Sequence, residues 1–282
     1  MALRPLLTRH PAVVITALLA TAATAPVLAV SPVAAASVAA SPATDSANYV
    51  ALGDSYSSGL GAGHEIASSG SCDRSRAAYS ALWAKAETPA SYASVACAGA
   101  TANSMRTHQL GALSKATTLV SLTIGGNDVG FQHVLKTCIL SSDRTCTKTI
   151  AAAGRAAAHK LPGRLLRALA AVRSAAPGAR VVVLGYPQLF DLSRPACVEG
   201  LSHIDEVHLN RAATVLDATI AAAARHSGDV FGDVRTTFSA RHRICGSHSW
   251  IHDINFFSLD ESFHPTAAGQ ALGYLPVFRK AA

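Results

Sequence analysis

The chain has 282 residues, 50 % of them apolar, which is enough for one α/β domain with a sizeable core or for two small ones. The formal net charge is +7, but the basic residues are scattered and no Lys/Arg block is interleaved with aromatics, so nucleic-acid binding is excluded as a reading. Such a charge favours anionic surfaces, such as phospholipid headgroups or acidic cell-wall polymers, although a solvated basic surface is the simpler account.

The first segment has the plan of targeting rather than fold. Arg4, Arg9 and His10 give a basic start, an apolar run follows from Val13 to about Val30, and Val27-Leu28-Ala29 or Val33-Ala34-Ala35 offer small-residue cleavage sites. We read residues 1–35 as a secretory signal peptide. A retained membrane anchor is the poorer reading, because the run is Ala-rich and broken by Pro26 and Pro32. Residues 36–47, mostly Ala, Ser, Pro and Thr, form a flexible lead-in. Removing residues 1–45 takes away Arg4, Arg9 and Asp45 and leaves about +6. No later stretch is apolar and long enough to cross a bilayer, so the mature product is expected to be soluble, extracellular and, since nothing demands more, monomeric.

From Asn48 onward strands and helices alternate. Residues 49–52 are a short apolar run ending in Gly-Asp-Ser, so Ser55 falls just past a strand end. A second strand is expected over 91–97, ending at Ala98-Gly99, and a third over 119–124, ending in Gly-Gly-Asn-Asp. A fourth covers 180–184 and a weaker fifth lies near 229–234. Helical periodicity is clearest over 163–176 and 204–226, and Pro265-Thr266 opens a last helix to about Leu275. Alternation of this kind implies a parallel sheet with right-handed crossovers, and no repeat or second domain is evident over 48–282. In an open parallel sheet ligands bind beyond the carboxyl ends of the strands, so the loops carrying Ser55, Gly99 and Asn127 converge on one rim. His264, at the start of the final helix, folds back onto it.

All six cysteines lie after the leader: Cys72, Cys97, Cys138, Cys146, Cys197 and Cys245. An even count behind a signal peptide implies three disulfides, but six cysteines allow 15 pairings and sequence alone does not choose. We expect sequential pairing, in which each bridge closes a loop between neighbouring segments; Cys138–Cys146 then closes the short polar loop 141–145. No C-x-x-C or Cys/His cluster of zinc type is present, and no metal or other cofactor is expected.

Four segments carry chemistry when taken together: Gly53-Asp54-Ser55-Tyr56-Ser57-Ser58-Gly59, Ala98-Gly99-Ala100, Gly125-Gly126-Asn127-Asp128 and Ser262-Phe263-His264-Pro265. In that order they supply a hydroxyl, a backbone N–H, a side-chain amide and an imidazole. Acyl transfer requires those four: a nucleophile, donors for an oxyanion and a general base. The G-x-S-x-G elbow of α/β-hydrolases is absent. The Gly-rich stretch 59–63 is not a phosphate loop, since no G-K-[ST] follows, and reads as a flexible loop beside Ser55. Tyr56, Val129, Phe131 and Phe263 flank the segments and either line an acyl groove or pack the core. The remaining histidines show no metal spacing with carboxylates; His248 and His252 are four apart beside Asp253, but their neighbours Gly246, Ser247, Ser249 and Trp250 are loop-like.

These segments resemble the four blocks of the SGNH (GDSL) hydrolases, most closely the secreted actinobacterial lipases and esterases, over about Asn48 to the C-terminus. The resemblance implies a three-layer α/β/α fold of flavodoxin-like kind with a central five-stranded parallel sheet. It implies Ser55 as nucleophile, His264 as base, and an oxyanion hole from the N–H of Ser55, the N–H of Gly99 and the side chain of Asn127. The cysteine spacing is similar too, and implies Cys72–Cys97, Cys138–Cys146 and Cys197–Cys245. One position departs: the common motif has Asp three residues before the His, where this chain has Glu261. Three readings follow for the group that orients His264: the Glu261 side chain, that of Asp260, or a main-chain carbonyl just upstream, with Ser262 the candidate; the carbonyl is preferred. The function expected is a secreted serine ester hydrolase on lipid-type acyl esters, spanning lipase, carboxylesterase and phospholipase A. A carbohydrate O-acetyl esterase and a catalytically dead binding protein are the alternatives.

Overall fold

The computed structural model describes residues 46–255 and 258–282. The signal peptide read at 1–35 and residues 36–45 of the lead-in lie outside the described residues; Ser46 and Ala47 already bond to the body through Thr88 and Ser91.

Five strands form one parallel sheet: β1 (Asn48–Ala51), β2 (Ser91–Ser94), β3 (Leu119–Leu122), β4 (Arg180–Leu184) and β5 (Val230–Gly232), in the order β2-β1-β3-β4-β5. The three inner strands are buried nearly throughout, as expected where helices cover both faces, whereas β2 alternates exposed and half-buried residues as an edge. Helices α1 (Ser55–Ser58), α2 (Tyr79–Glu87), α3 (Ala102–His108), α4 (Phe131–Leu140), α5 (Asp143–His159), α6 (Leu161–Ala175), α7 (His203–His226) and α8 (Leu275–Ala281) complete the body. α2 and α8 pack together on one side, while α3, α6 and α7 pack in sequence with α5 and α4 on the other. The strand order reverses between β1 and β3, and that switch point is where a flavodoxin-like sheet opens its binding crevice.

The expected strands sit within two or three residues of those observed, and 180–184 coincides. The helix expected over 204–226 begins at His203, where Ser202 and Asp205 form a capping box. Two expectations are corrected. The polar loop between Cys138 and Cys146 shrinks to Ser141-Ser142, because α5 starts at Asp143 directly after Ser142 and continues through an Ala-rich amphipathic run. The last helix starts at Ala267 rather than Pro265, passes through a π-helical segment at Gly269–Tyr274 and runs on to Ala281. A Cβ at Gly273 would lie 2.2 Å from the Phe238 ring and one at Gly269 2.4 Å from the Trp250 carbonyl, so this turn depends on glycine at both contacts. The wider turn also precedes Pro276, which has no N–H to give an α-helical ladder.

The core is one contiguous cluster. Tyr49 contacts Trp83, Tyr92 and Phe278, and Tyr79 contacts Tyr274 and Phe278, tying β1 to α2 and α8 through rings. Each such ring stabilises the fold by roughly 1.5–3 kcal/mol on burial. The disulfides are Cys72–Cys97, Cys138–Cys146 and Cys197–Cys245. Cys72–Cys97 ties the segment after β2 to the loop that follows the Ser55 turn.

Candidate active site

Ser55 lies one tight turn beyond β1. Gly53 has φ +116°, and a Cβ there would lie 2.4 Å from the Thr123 carbonyl, so only glycine lets the chain turn against β3. The Gln109 carboxamide clamps that residue at both ends, accepting from its N–H at 2.7 Å and donating to its carbonyl at 2.8 Å. Asp54 then caps α1: Oδ1 accepts from the Tyr56 N–H at 3.1 Å and from the Thr123 hydroxyl at 2.7 Å, while the Tyr186 hydroxyl donates to Oδ2. Burial pushes the Asp54 carboxyl up to about 6 against the pull of these donors.

The His264 imidazole meets this turn from the far end of the chain, with Nε2 2.7 Å from Ser55 Oγ. Nδ1 is 3.1 Å from the Ser262 carbonyl, which can only accept, so Nδ1 carries the proton and Nε2 accepts from the Ser55 hydroxyl. The Glu261 carboxylate is engaged elsewhere, accepting from Asn255 Nδ2 at 3.0 Å. Burial lowers the His264 pKa to about 4, with the Ser262 carbonyl opposing that shift.

The segment carrying His264 is braced by main chain. Phe263 adopts φ +66°, a left-handed conformation that costs a non-glycine residue about 1–3 kcal/mol, and the Tyr56 hydroxyl donates to its carbonyl at 2.7 Å. His252 exchanges backbone bonds with Phe263 and His264, and its Nε2–H donates to the Gly61 carbonyl at 2.7 Å. Residues 59–62 are accordingly buried and bonded rather than loose. Sequence reasoning gave His252 no part in this, because its partners are carbonyls that any residue type supplies.

Two further loops lie beside the Ser55 turn. Gly99 sits at φ +74° in a turn held by Cys97 N–H on the Gly53 carbonyl (3.0 Å) and Ala98 N–H on the Cys72 carbonyl (3.1 Å). Among the described residues no acceptor takes the backbone N–H of Ser55 or Gly99. Asn127 follows β3, and one hydrogen of its Nδ2 goes to the Ala100 carbonyl at 3.0 Å, leaving the other to point away from that bond. The neighbouring Asp128 accepts from the Ala102 N–H at 2.7 Å and pairs with Arg164 at 3.3 Å, which holds the two loops together.

Two grooves open from this centre. One is lined by Ser55, Tyr56, Asn127, Val129 and Phe131, continues between α4, α5 and α7 past Val134, Ile150 and Leu209, and is overwhelmingly apolar. The other starts at His264, Ser262 and Phe263 and runs along α4 past Leu135 and Ile139 to Leu140 and Leu259. Phe131 touches both. Of the four aromatic and aliphatic residues flanking the motifs, Tyr56, Val129 and Phe131 therefore line the Ser55 groove and Phe263 the His264 groove.

The GDSL-like lipase/acylhydrolase family matches residues 51–272. The chain belongs to that family. This hydrolase is 47 % identical to Lipase 1 of Streptomyces coelicolor over 83 % of its own length and 86 % of the relative's. It is 44 % identical to a lipase of Streptomyces rimosus, over 85 % and 88 %. The crystal structure of phospholipase A1 from Streptomyces albidoflavus superimposes with a TM-score of 0.82 at 46 % identity, covering 84 % of this chain and all of that one. The hydrolase thus has the three-layer α/β fold with a five-stranded parallel sheet expected of it, and it is an ester hydrolase.

Proposed function

We propose that this hydrolase cleaves acyl esters of lipids, phospholipids included, with Ser55 as nucleophile and His264 as general base. The reading rests above all on the 2.7 Å bond between His264 Nε2 and Ser55 Oγ at the head of an apolar groove. Ser55 Oγ attacks the ester carbonyl while its proton passes to Nε2. The oxyanion takes hydrogen bonds from the N–H groups of Ser55 and Gly99 and the second Nδ2 hydrogen of Asn127. Collapse expels the alcohol, which leaves with the proton from His264, and water hydrolyses the acyl-enzyme by the same steps. The imidazolium that forms is held by the Ser262 carbonyl, so the pair acts as a dyad, with Glu261 outside it.

The Ser55 groove has aliphatic and aromatic lining as far as Leu209 and Leu216 but a free volume of only about 60 Å³, whereas the groove from His264 along α4 offers about 690 Å³ between Phe131, Leu135 and Ile139, so the room for an acyl chain beyond acetate lies along α4. Leu140 and Leu259, 72 % and 66 % exposed, stand on the second groove and support contact with a lipid surface. Residues 1–35 act as the signal peptide, residues 36–47 as lead-in and 48–282 as the catalytic domain, so that the product works outside the cell as a monomer. Hydrolysis of p-nitrophenyl esters from acetate to palmitate, by wild type and Ser55→Ala in EDTA, tests the reading. Activity on medium and long chains that vanishes in the variant is expected. Activity confined to acetate points instead to a carbohydrate O-acetyl esterase, and none on any ester to a binding protein.

A further inference from the structure

We propose that the hydroxyl of Tyr186 is a positioning group for the reaction, setting the Ser55 turn and the Asn127 amide in register. The inference rests on the catalytic roles just assigned to Ser55 and Asn127. Tyr186 lies outside all four motifs, immediately after β4 in Gly185-Tyr186-Pro187. Its hydroxyl donates to Asp54 Oδ2 and accepts from the Gly126 N–H at 3.2 Å. Asp54 directly precedes Ser55, and Gly126 directly precedes Asn127. One oxygen therefore joins the residues just ahead of the proposed nucleophile and the proposed oxyanion donor, which arrive on two different strands.

The polarity of this bridge is determined. Burial and the adjacent Asp54 carboxylate push the Tyr186 hydroxyl well above its usual range, so it stays protonated and donates to Asp54. Its lone pair is then what Gly126 finds. The ring is equally fixed. A Cβ at Gly126 would lie 3.4 Å from the Tyr186 Cζ and hydroxyl, so the ring lies against the glycine. The Tyr56 ring meets it edge-on at 5.0 Å, and the Tyr186 N–H donates to the buried Asp217 Oδ1 at 2.8 Å. A hydroxyl held this rigidly transmits a displacement of either turn to the other. Oxyanion donors act only when aimed at the transition-state oxygen, so loss of the bridge lowers turnover more than substrate binding.

The test is Tyr186→Phe, which keeps the ring and removes the oxygen, alone and combined with Asn127→Ala. Tyr186→Phe is expected to lower kcat about 10- to 100-fold with KM within about twofold. In the Asn127→Ala background it is expected to cost less than about twofold more, because the donor it aims is already gone. Multiplication of the two losses, a change carried by KM, or an unchanged kcat would each overturn the proposal. If Tyr186→Phe does not fold, judged by thermal melting, Asp54→Asn carries the same comparison by removing the carboxylate that orients the hydroxyl. Ser55→Ala and Asn127→Ala are run alongside as single variants. Retained activity in those two defeats the catalytic assignment itself, whereas their loss beside an unaffected Tyr186→Phe defeats only the role of Tyr186.

Discussion

The two halves of the Ser55–His264 pair are held by different kinds of chemistry. On the Ser55 side the supports are side chains: Gln109 on Gly53, and Thr123 and Tyr186 on Asp54. On the His264 side most partners are carbonyls: Ser262 on Nδ1, and Phe263 and Gly61 as acceptors for Tyr56 and His252. The Ser55 turn is an extension of the sheet core and inherits its rigidity. The His264 segment is a strained loop pinned by its own backbone. Loss of a side chain therefore acts differently on the two sides.

The largest effect belongs to the pair itself. Ser55→Ala is expected to reduce kcat by about 10⁴-fold or more on every ester, and His264→Ala to match it, since members of such a unit are not additive. A double variant much worse than either single one would mean that the two do not act together. Asn127→Ala follows, at about 100- to 1,000-fold in kcat with little change in KM. A loss carried by KM instead would make Asn127 a substrate-binding residue.

Support of the Ser55 turn is sharpest at Gly53. Gly53→Ala places a methyl 2.4 Å from the Thr123 carbonyl at φ +116°, and is expected to destabilise the fold by about 2–4 kcal/mol in urea titration. An equilibrium stability equal to wild type would show that the turn yields, and with it the contrast drawn here. On the His264 side the corresponding signature is pH. As the proposed base, His264 must be neutral to accept a proton, and its pKa is lowered to about 4 by burial. Activity is therefore retained as pH falls below 6.5 and lost through about pH 4. Asp54, at about 6, contributes a separate, smaller inflection that Asp54→Asn removes. An acid limb in kcat/KM centred at 6.5 in both proteins would show that His264 is solvated.

The same asymmetry explains what could be read in the sequence. Ser55, Gly99, Asn127 and His264 are legible because the segments that hold them supply together a hydroxyl, a backbone N–H, an amide and an imidazole, and because those segments resemble the four SGNH (GDSL) blocks. The strands were legible from β-branched runs such as 180–184, and their parallel pairing followed from alternation with helices, whereas the order β2-β1-β3-β4-β5 is set by the fold. Three features were not legible. Residues 143–159 form a helix whose Cys-containing start looks like a loop, because a polar Ser-Ser-Asp run is also a good helix entry. Tyr186 and Gln109 lie outside the motifs and reach them only through the fold. The partner of His264 Nδ1 is a carbonyl, and every residue has one, so residue identity left Glu261, Asp260 and the main chain open, with the Ser262 carbonyl only preferred.

That last point yields the smallest predicted effect and the most discriminating. In a triad the carboxylate accepts from Nδ1–H and its loss costs orders of magnitude through the wrong tautomer. Here Glu261 bonds Asn255 at 3.0 Å, while Ser262 offers its carbonyl at 3.1 Å, so Glu261→Ala leaves the tautomer intact. The variant removes one bond between Glu261 and Asn255 and leaves the Ser262 main chain in place, so over a tenth of wild-type kcat is expected to remain. Measured kcat on one ester for wild type and Glu261→Ala decides it. A loss of several thousandfold would make Glu261 the orienting acid, moving His264 onto the same footing as Ser55, with a side chain rather than the backbone as its support.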